Sequence, residues 1–390
     1  MSEVKTKVPQ LRFPGFSDEW EEKKLGNISK LTSSKRVYLD DYVQSGIPFY
    51  RGKEISELQK GLTPKDILYI SNESYEQYKS KYGIPQVDDI LITAVGTLGN
   101  ILRIKDRKPF YFKDGNLIWI KDIYEYSNFL EILLEVKNKE IQKTSIGSTQ
   151  RALTMVELRK LLLPFPAKQE QQKIAAFLTA VDTKIEQLSK KQELLGEYKK
   201  GLMQQIFSQA IRFKADDGSD FPDWKEKKLG SLCEITTGKL DANAMVKDGQ
   251  YRFYTCAKEY YKIDDYAFDT DALIVSGNGA NVGYIHHYQG KFNAYQRTYV
   301  LDSFTDNIVF VKFVLDGYLH KRIMKEKNEG NTPYIVMGTL TDMKINLPSF
   351  SEQTKISNFL SSIDNKIEQV GKQLDESKQF KKALLQQMFV

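Results

Sequence analysis

The sequence predicts an α+β protein in which two similar α/β globules alternate with two long helices. The first observation is a repeat: the stretch from Glu170 to Phe207 recurs from Glu352 to Phe389, at a constant offset of 182 residues. The second is that each copy follows a globular segment with a similar opening, W-E-E-K-K-L-G from Trp20 and W-K-E-K-K-L-G from Trp224. Internal repeats of this length indicate a modular architecture, here globule, helix, globule, helix.

The repeated stretch has the pattern of a coiled-coil helix. Its apolar residues recur at alternating steps of four and three, which form the seam of a coiled coil, and no proline lies between Pro166 and Pro222 or after Pro348. About 40 residues at 1.5 Å each give a rod of about 60 Å. Because the same helix follows two different globules, we expect the two helices to pack on each other and hold the globules apart. The alternative is two ordinary helices packed on a core.

Polar residues interrupt the seam in both helices. A continuous apolar seam would favour promiscuous bundling, so we expect these interruptions to fix the register of the helix pair. The interrupting residues are Gln192, Lys199, Ser377 and Lys381.

The globules share a framework and differ in their middle parts. Their spacing agrees up to about Glu54 and Lys258, and the first globule then carries about 20 extra residues around 71–82, a pattern typical of a short capped helix. In each half an apolar, strand-like run then ends in glycines, and polar loops close the two halves. The predicted runs are 90–99 and 273–283, further strands are 101–104, 117–120, 284–287 and 299–301, helices are 129–142 and 309–325, and loops are 147–150 and 330–333.

The composition supports folded cores. A chain of 390 residues suggests two or three domains, and contents of 41% hydrophobic and 28% charged residues argue against disorder. The net charge of +6 permits nucleic-acid binding without demanding it. Cys233 and Cys256 are isolated thiols, which argues against a disulfide framework or a metal motif. With no signal peptide and no run of 18 apolar residues, we expect a cytoplasmic protein that does not enter a membrane.

Enzyme motifs are weak, and we predict no catalytic residue and no metal site in this chain. The glycines at 277, 279 and 283 lack dinucleotide-fingerprint spacing and are better read as a tight turn at a strand end. The sequence N-T-P-Y from Asn331 resembles the N-P-P-Y box of adenine methyltransferases, but no glycine-rich cofactor loop precedes it. The residues 222–228 include nuclease-like carboxylates that are too close in sequence for separate strands. His286, His287 and His320 have no cysteine or acidic cluster with them.

Basic and aromatic residues interleave in both globules, as expected of a DNA-binding surface. Lysine and arginine neutralise phosphates, while arginine, asparagine, glutamine and threonine read base edges. For any single residue a solvated surface position is the simpler interpretation. Chosen by residue type and loop position, the candidate DNA-binding residues are Lys35, Arg36, Arg51, Lys53, Lys79, Lys81, Thr97, Asn116, Thr149, Gln150, Arg151, Tyr254, Lys258, Asn278, Asn281, Arg297, Asn331 and Thr332.

Two diverged globules, each ending in Leu-Pro and followed by E-Q-x-K-I-x-x-F-L-x-x-x-D-x-K-I-E-Q, closely resemble the specificity (S) subunit of a type I restriction–modification system. The resemblance covers essentially the whole chain. It implies that the globules are target recognition domains and that the helices are conserved regions forming an antiparallel coiled coil. The expected parts are an N-terminal recognition domain (1–168), a central helix (169–210), a C-terminal recognition domain (211–350) and a C-terminal helix (351–390).

The resemblance also implies the function and partners. Each recognition domain would read one half of a bipartite target in double-stranded DNA, and the coiled coil would set the gap. Two methylation (M) subunits and, in the full complex, restriction (R) subunits would bind. The complex would methylate adenine and cleave DNA with ATP, in a bacterial or archaeal cytoplasm. This chain would hold no cofactor, whereas S-adenosylmethionine, ATP and Mg²⁺ would belong to the partners. The alternative is a coiled-coil scaffold without DNA readout.

The partners are expected to dock on exposed faces of the two helices. The candidate docking residues are Lys173, Asp182, Lys184 and Glu186 in the first helix and their repeat equivalents Lys355, Asp364, Lys366 and Glu368 in the second.

Overall fold

Short strands and helices precede the first long helix. The computed structural model describes residues 8–147, 151–326 and 333–390. The elements of the first globule are β1 (Glu21–Lys24), α1 (Leu25–Ile28), β2 (Lys30–Thr32), β3 (Tyr42–Val43), β4 (Ile47–Tyr50), α2 (Gly52–Gln59), β5 (Leu68–Ile70), α3 (Asn72–Tyr82), β6 (Ile90–Thr93), β7 (Ile101–Arg103), β8 (Tyr111–Phe112), β9 (Leu117–Lys121), α4 (Ser127–Val136), α5 (Asn138–Lys143), α6 (Met155–Lys160) and β10 (Leu162–Phe165), and the long helix is α7 (Lys168–Phe207).

The second globule has longer strands and ends in a second long helix. Its elements are β11 (Lys225–Lys228), β12 (Glu234–Thr237), β13 (Tyr251–Tyr254), β14 (Tyr261–Ile263), β15 (Phe268–Ser276), β16 (Ile285–Ala294), β17 (Thr298–Asp302), α8 (Ile308–Glu326), α9 (Met337–Thr341), β18 (Lys344–Leu347) and α10 (Phe350–Gln387).

The chain forms two compact units, each with one globule and parts of both long helices. The first unit comprises Met1–Gln187 and Leu374–Val390, and the second comprises Leu188–Gln373. The mixed α+β class and the two long helices agree with the prediction from sequence. Among the described helices, none is long and apolar enough to cross a membrane.

The first unit is built on two four-stranded sheets. Their strand orders are β2-β9-β6-β7 and β3-β5-β4-β8, and β1 and β10 form a separate antiparallel pair. Strand β6 is buried along its whole length, and its Ile90 and Ile92 pack in a core with Phe129 of α4. That core also contains Leu178 of α7 and Leu384 of α10, so both long helices contribute apolar faces to it.

The second unit is built on one six-stranded sheet, in the order β12-β17-β15-β16-β13-β14, with β11 and β18 again pairing separately. Side chains alternate across β15, because successive residues of a strand point to opposite faces. Leu273 and Val275 pack in the core that contains Phe310 of α8, whereas Ile274 packs on the other face with Phe292.

Two polar interruptions of the seam, Lys199 and Lys381, form ion pairs across the helix pair. In the second unit, Lys199 Nζ lies 2.6 Å from an Asp364 carboxylate oxygen. A Cβ on Gly371 would lie 2.7 Å from Gln192 Nε2, so glycine leaves room for that amide. The positions rise along α7 as they fall along α10, so the helices are antiparallel within this unit. In the first unit the equivalent pair is Lys381 with Asp182, at 2.5 Å.

Two local predictions have different outcomes. Helix α3 follows the predicted segment 71–82, and the Ser71 hydroxyl caps it by accepting a hydrogen bond from Ser74 N. The single helix predicted over 129–142 is wrong, because the backbone leaves the helical conformation at Lys137 and divides it into α4 and α5. The side chain of Asn138, just after the break, donates a hydrogen bond to the carbonyl of Gly99.

Candidate nucleic-acid interface

Each long helix is tied to its globule by a buried Glu-Gln dipeptide at the start of the repeat. In the first unit, Arg12 Nε and Nη2 donate to the two oxygens of Glu170 at 2.7 and 2.8 Å. In the second unit, Arg212 Nε and Nη2 donate to Glu352 at 3.3 and 2.9 Å. Hydrogen bonding to Glu170 raises the pKa of Arg12, and burial only partly opposes this shift.

The glutamine of each dipeptide holds the loop that precedes the neighbouring helix of its globule. Gln171 Nε2 donates to Glu125 at 2.9 Å, and its oxygen accepts from Tyr126 N at 3.1 Å. Gln353 makes the same two contacts with Asp306 and Asn307. Sequence reasoning used this dipeptide only to recognise the repeat, although its identity in both copies already marked it as special.

In the first globule, several candidates meet at the end of β6. Ala94, just after this strand, donates its N–H to the Asn116 carbonyl, and Leu153 N donates to the Ala94 carbonyl. The bridge between Val95 and Ala152 brings Arg151, the neighbour of Ala152, to the same edge. Thr97 is exposed in the adjacent turn. Asn116, Arg151 and Thr97 therefore share one edge, whereas Thr149 and Gln150 lie outside the described residues.

Most of the other cationic candidates of this globule already have partners. Arg51 donates to Glu54 at 2.5 Å, and Glu54 is buried at the start of α2. Burial alone would raise the pKa of Glu54, but the hydrogen bonds from Arg51 outweigh it and the pKa is lowered. Arg51 therefore acts as a structural partner here. Three more candidates form ion pairs: Arg36 with Asp114 at 3.2 Å, Lys53 with Asp66 at 3.2 Å and Lys79 with Glu76 at 2.9 Å. The ammonium groups of Lys35 and Lys81 lie 5.2 and 5.3 Å from the centre of the Tyr82 ring.

The second globule gathers its candidates at the equivalent edge. Gly277 N donates to the Arg297 carbonyl at 2.9 Å, just after β15. Asn281 Nδ2 donates to the Cys256 carbonyl at 3.1 Å, which places Asn281 beside the loop that carries Lys258. Asn278 forms a bridge with Tyr334, while the candidates Asn331 and Thr332 lie outside the described residues.

Two features of this edge bear on the sequence predictions. Gly279 and Gly283 have φ values of +78° and +80°, which supports the reading of this stretch as a tight turn. The prediction that Tyr254 contacts DNA directly is wrong for this conformation, because Tyr254 is buried. Its hydroxyl accepts a hydrogen bond from Arg252 at 3.3 Å. Burial could not be read from its sequence position, since an exposed and a buried tyrosine look alike in a short strand.

The cysteines and histidines have structural surroundings. His286 Nε2 lies 3.1 Å from the Ala257 carbonyl, and His287 Nε2 lies 2.8 Å from Asp271. Burial lowers the pKa of His286 and raises that of the Cys233 thiol to about 12. Within residues 8–147, 151–326 and 333–390, no group of three or more histidine, cysteine, aspartate or glutamate side chains is placed to hold a metal.

The predicted docking residues divide into two groups. Lys173, Lys184, Glu186, Lys366 and Glu368 are exposed on the helices. Asp182 and Asp364 are partly exposed and already bond to Lys381 and Lys199. Lys355 is also only partly exposed, and it pairs with Asp216 at 2.6 Å.

Sequence reasoning missed a pair of exposed aromatic residues on the helices. Tyr198 and Phe380 occupy equivalent positions of the repeat, outside the seam, and both are exposed. The signal was present in the sequence, because an aromatic side chain outside the seam in both copies has no role in the helix pair itself.

Comparison with known proteins identifies a matching family and relatives of this chain. The family described as type I restriction modification DNA specificity domain matches residues 17–195 and 222–377. The chain is 43% identical over 168 residues to the type I restriction enzyme EcoDI specificity subunit of Escherichia coli, a match covering 42% of this chain but only 37% of that relative. It is 22% identical over 412 residues to the MjaVIII specificity subunit of Methanocaldococcus jannaschii, covering 96% and 92% of the two chains.

Solved structures share the fold at low sequence identity. A type I restriction–modification S subunit from M. genitalium superposes with a TM-score of 0.68 at 18% identity, over 98% of this chain and 99% of that one. A chain from a study of assembly of the type I system gives a TM-score of 0.53 at 16% identity, over 96% and 98% of the two chains. The two family matches cover most of the sequence, one in each half, and the chain therefore belongs to the type I restriction–modification DNA specificity family.

Proposed function

We propose that this chain is the specificity subunit of a type I restriction–modification system, and that each globule reads one half of a bipartite target in double-stranded DNA. The observation that supports this is a repeated edge with different side chains. At the end of β6 the first globule presents Thr97, Asn116 and Arg151, and at the end of β15 the second globule presents Asn278, Asn281 and Arg297. Equivalent frameworks with different polar edges suit two different half-sites.

The helix pair would set the gap between the half-sites. Its register is held by the equivalent ion pairs Asp182–Lys381 and Lys199–Asp364, one in each unit. Side chains that bond across a coiled coil favour one register over its alternatives. Because the register is fixed, the helix pair has a fixed length. Such a length suits a target whose two halves are separated by a constant number of base pairs.

The alternative function is a scaffold that joins partners without reading DNA. It would need no set of polar and cationic side chains at matching edges of the two globules. It would also show no DNA affinity that falls steeply with salt, whereas a protein that neutralises phosphates does. The exposed side chains of Arg151, Lys258 and Arg297 favour DNA readout.

The chemistry of the complex would belong to other subunits. Two methylation subunits, using S-adenosylmethionine, would methylate adenine at the target, and restriction subunits would use ATP and Mg²⁺ to cleave unmodified DNA. This chain would direct them without catalysing either step. Docking is proposed at the exposed residues Lys173, Lys184, Glu186, Lys366 and Glu368, with Tyr198 and Phe380 supplying apolar contact.

Charge reversal tests the docking proposal. Lys184→Glu is expected to weaken binding of one methylation subunit roughly tenfold, because a like charge placed at an interface is unfavourable. Lys366→Glu should do the same for the second copy, and the double variant should lose both. Native mass spectrometry of the co-expressed complex measures the stoichiometry. Lys225→Glu, on exposed β11, is the control, and a double variant that still carries two partner copies would contradict the proposal.

Mapping of methylated adenine tests the proposed function. Cells that supply the partner subunits are compared with and without this chain, and a split motif with a constant gap is expected only when the chain is present. A variant carries one extra heptad after Gln192 in α7 and one before Gly371 in α10, two points that lie against each other within the second unit. This insertion retains both ion pairs and adds about 10 Å, so the gap should widen by about three base pairs with unchanged half-sites.

The control for this variant is a heptad inserted in α7 alone, which breaks the register and should abolish methylation. Changed half-sites in the double-insertion variant would contradict the proposed role of the helices. The absence of any motif that depends on the chain, with the partners shown to bind, would contradict DNA readout altogether.

A further inference from the structure

Arg252, on β13 of the second globule, is held by aromatic rings. Its guanidinium carbon lies 4.3 Å from the centre of the Tyr260 ring and 4.2 Å from that of Tyr288. Nη1 donates to the Tyr254 hydroxyl at 3.3 Å. The hydrogen bond to Tyr254 raises the pKa of Arg252, burial partly opposes this rise, and the other charges that contribute are those of tyrosines. We call Arg252, Tyr254, Tyr260 and Tyr288 the Arg252 cluster.

This environment differs from that of the other partly buried arginines. Arg12, Arg51, Arg103 and Arg212 all pair with carboxylates at 3.0 Å or less. Within the described part of the chain, Arg252 has contacts with rings and a phenol but no ion pair. A guanidinium carries five N–H donors, and one bond to a neutral hydroxyl leaves most of them for a ligand.

The cluster is continuous with the edge proposed to read DNA. The Tyr254 ring lies 4.9 Å from the His286 ring, and His286 contacts the carbonyl of Ala257. The preceding residue, Cys256, accepts the hydrogen bond from Asn281. Near this path Tyr260 and Tyr284 are exposed, and the Lys258 ammonium lies 6.0 Å from the Tyr284 ring. Arg252 thus lies beside exposed aromatic and cationic side chains rather than in an isolated core.

The geometry favours a planar, two-acceptor ligand. Because the tyrosine rings contact the faces of the guanidinium, its N–H groups, which lie in the guanidinium plane, remain available to a ligand. Two of these parallel N–H groups match two neighbouring hydrogen-bond acceptors. In the major groove, O6 and N7 of guanine offer such a pair, and arginine is their usual partner. Ring contacts also restrict the side chain before binding, so less entropy is lost on docking. A phosphate needs less orientation, since a flexible lysine binds it as a point charge.

We propose that Arg252, oriented by Tyr260 and Tyr288, reads a guanine in the half-site of the second globule. This inference rests on the proposed function and adds a specificity-determining residue to it. The half-site of the first globule is not expected to depend on Arg252.

The test is the methylated-adenine map for Arg252→Lys, run beside the unsubstituted chain with the same partners. Lysine keeps the charge and loses the fork, so discrimination at one position of one half-site should fall roughly 10- to 100-fold. The other half-site and the gap should stay unchanged. Tyr260→Ala should give a similar but smaller relaxation, whereas Tyr260→Phe keeps the ring and should match the unsubstituted chain.

Binding and melting measurements separate the remaining outcomes. A phosphate contact would make Arg252→Gln weaken binding to all sequences alike and reduce the salt slope by about one, with no relaxed position, which would overturn the guanine assignment. An unchanged motif for Arg252→Lys, with unchanged thermal melting, would also overturn it. If the unsubstituted chain directed no methylation although its partners bound, the proposed function would fail and this inference with it.

Discussion

Replacing Glu170 with alanine is expected to destabilise the first unit by about 3 kcal/mol. The carboxylate is fully buried and receives two short hydrogen bonds from Arg12. Its removal leaves a guanidinium that is only 11% exposed without its counter-charge. Arg12 Nη1 is already buried without a hydrogen-bond partner, so there is little compensation nearby. The start of α7 should loosen from the first globule as a result.

The equivalent substitution in the second unit provides a graded comparison. Glu352→Ala should cost less, because Arg212 is 26% exposed and also donates to the Pro222 carbonyl at 2.7 Å, which outweighs the lost hydrogen bond from Trp224 Nε1 at 3.2 Å. Urea denaturation of the two variants measures the difference. Glu193→Ala removes an exposed carboxylate from the same helix as Glu170 and should melt like the unsubstituted chain. If Glu170→Ala unfolded at the same urea concentration as Glu193→Ala, the buried ion pair between Arg12 and Glu170 would contribute nothing to the free energy of unfolding.

The long helices could be predicted from sequence because their signal is local and repeated. Heptad spacing and a second copy of the same stretch together identify both helices within a few residues of their observed bounds. The contacts of the Glu-Gln dipeptide could not be predicted, because Arg12 and Glu170 are 158 positions apart. The same holds for Lys199 and Asp364, whose pairing depends on an antiparallel register that no local pattern encodes.

The candidate interface was predictable in outline and less so in detail. Glycine-rich turns after apolar runs marked the strand ends where Thr97 and Asn278 lie, and the binding of DNA there stays a prediction. Residue type alone could not separate free cations from paired ones, although Arg51 and Glu54, three apart at a helix start, carried a usable signal. The ring contacts of Arg252 come from residues near β14 and in β16, so they depend on the order of strands in the sheet.

Replacing Phe389 with alanine is expected to destabilise the first unit by about 3–5 kcal/mol, the usual cost of deleting a buried phenylalanine. Phe389 follows the last turn of α10 and is only 7% exposed. Its ring centre lies 5.7 Å from that of Phe129 and 6.0 Å from that of Trp20. A cavity there would remove contacts from α4 and from the opening segment of the globule together.

Phe380→Ala is a closely matched control, because it makes the same change nearby, within α10, at a side chain that is 52% exposed. Urea denaturation should leave this variant close to the unsubstituted chain, while Phe389→Ala shifts clearly, and the fluorescence of Trp20 should report the loss of its neighbour. Phe207→Ala should have an effect of similar size in the second unit, since Phe207 packs against Phe310 at 5.9 Å. Equal midpoints for Phe389→Ala and Phe380→Ala would contradict the assignment of Phe389 to the core. Since Phe380 is proposed as a docking residue, its variant should fold normally and bind one partner copy less tightly, which separates the binding role of the exposed aromatic from the structural role of the buried one.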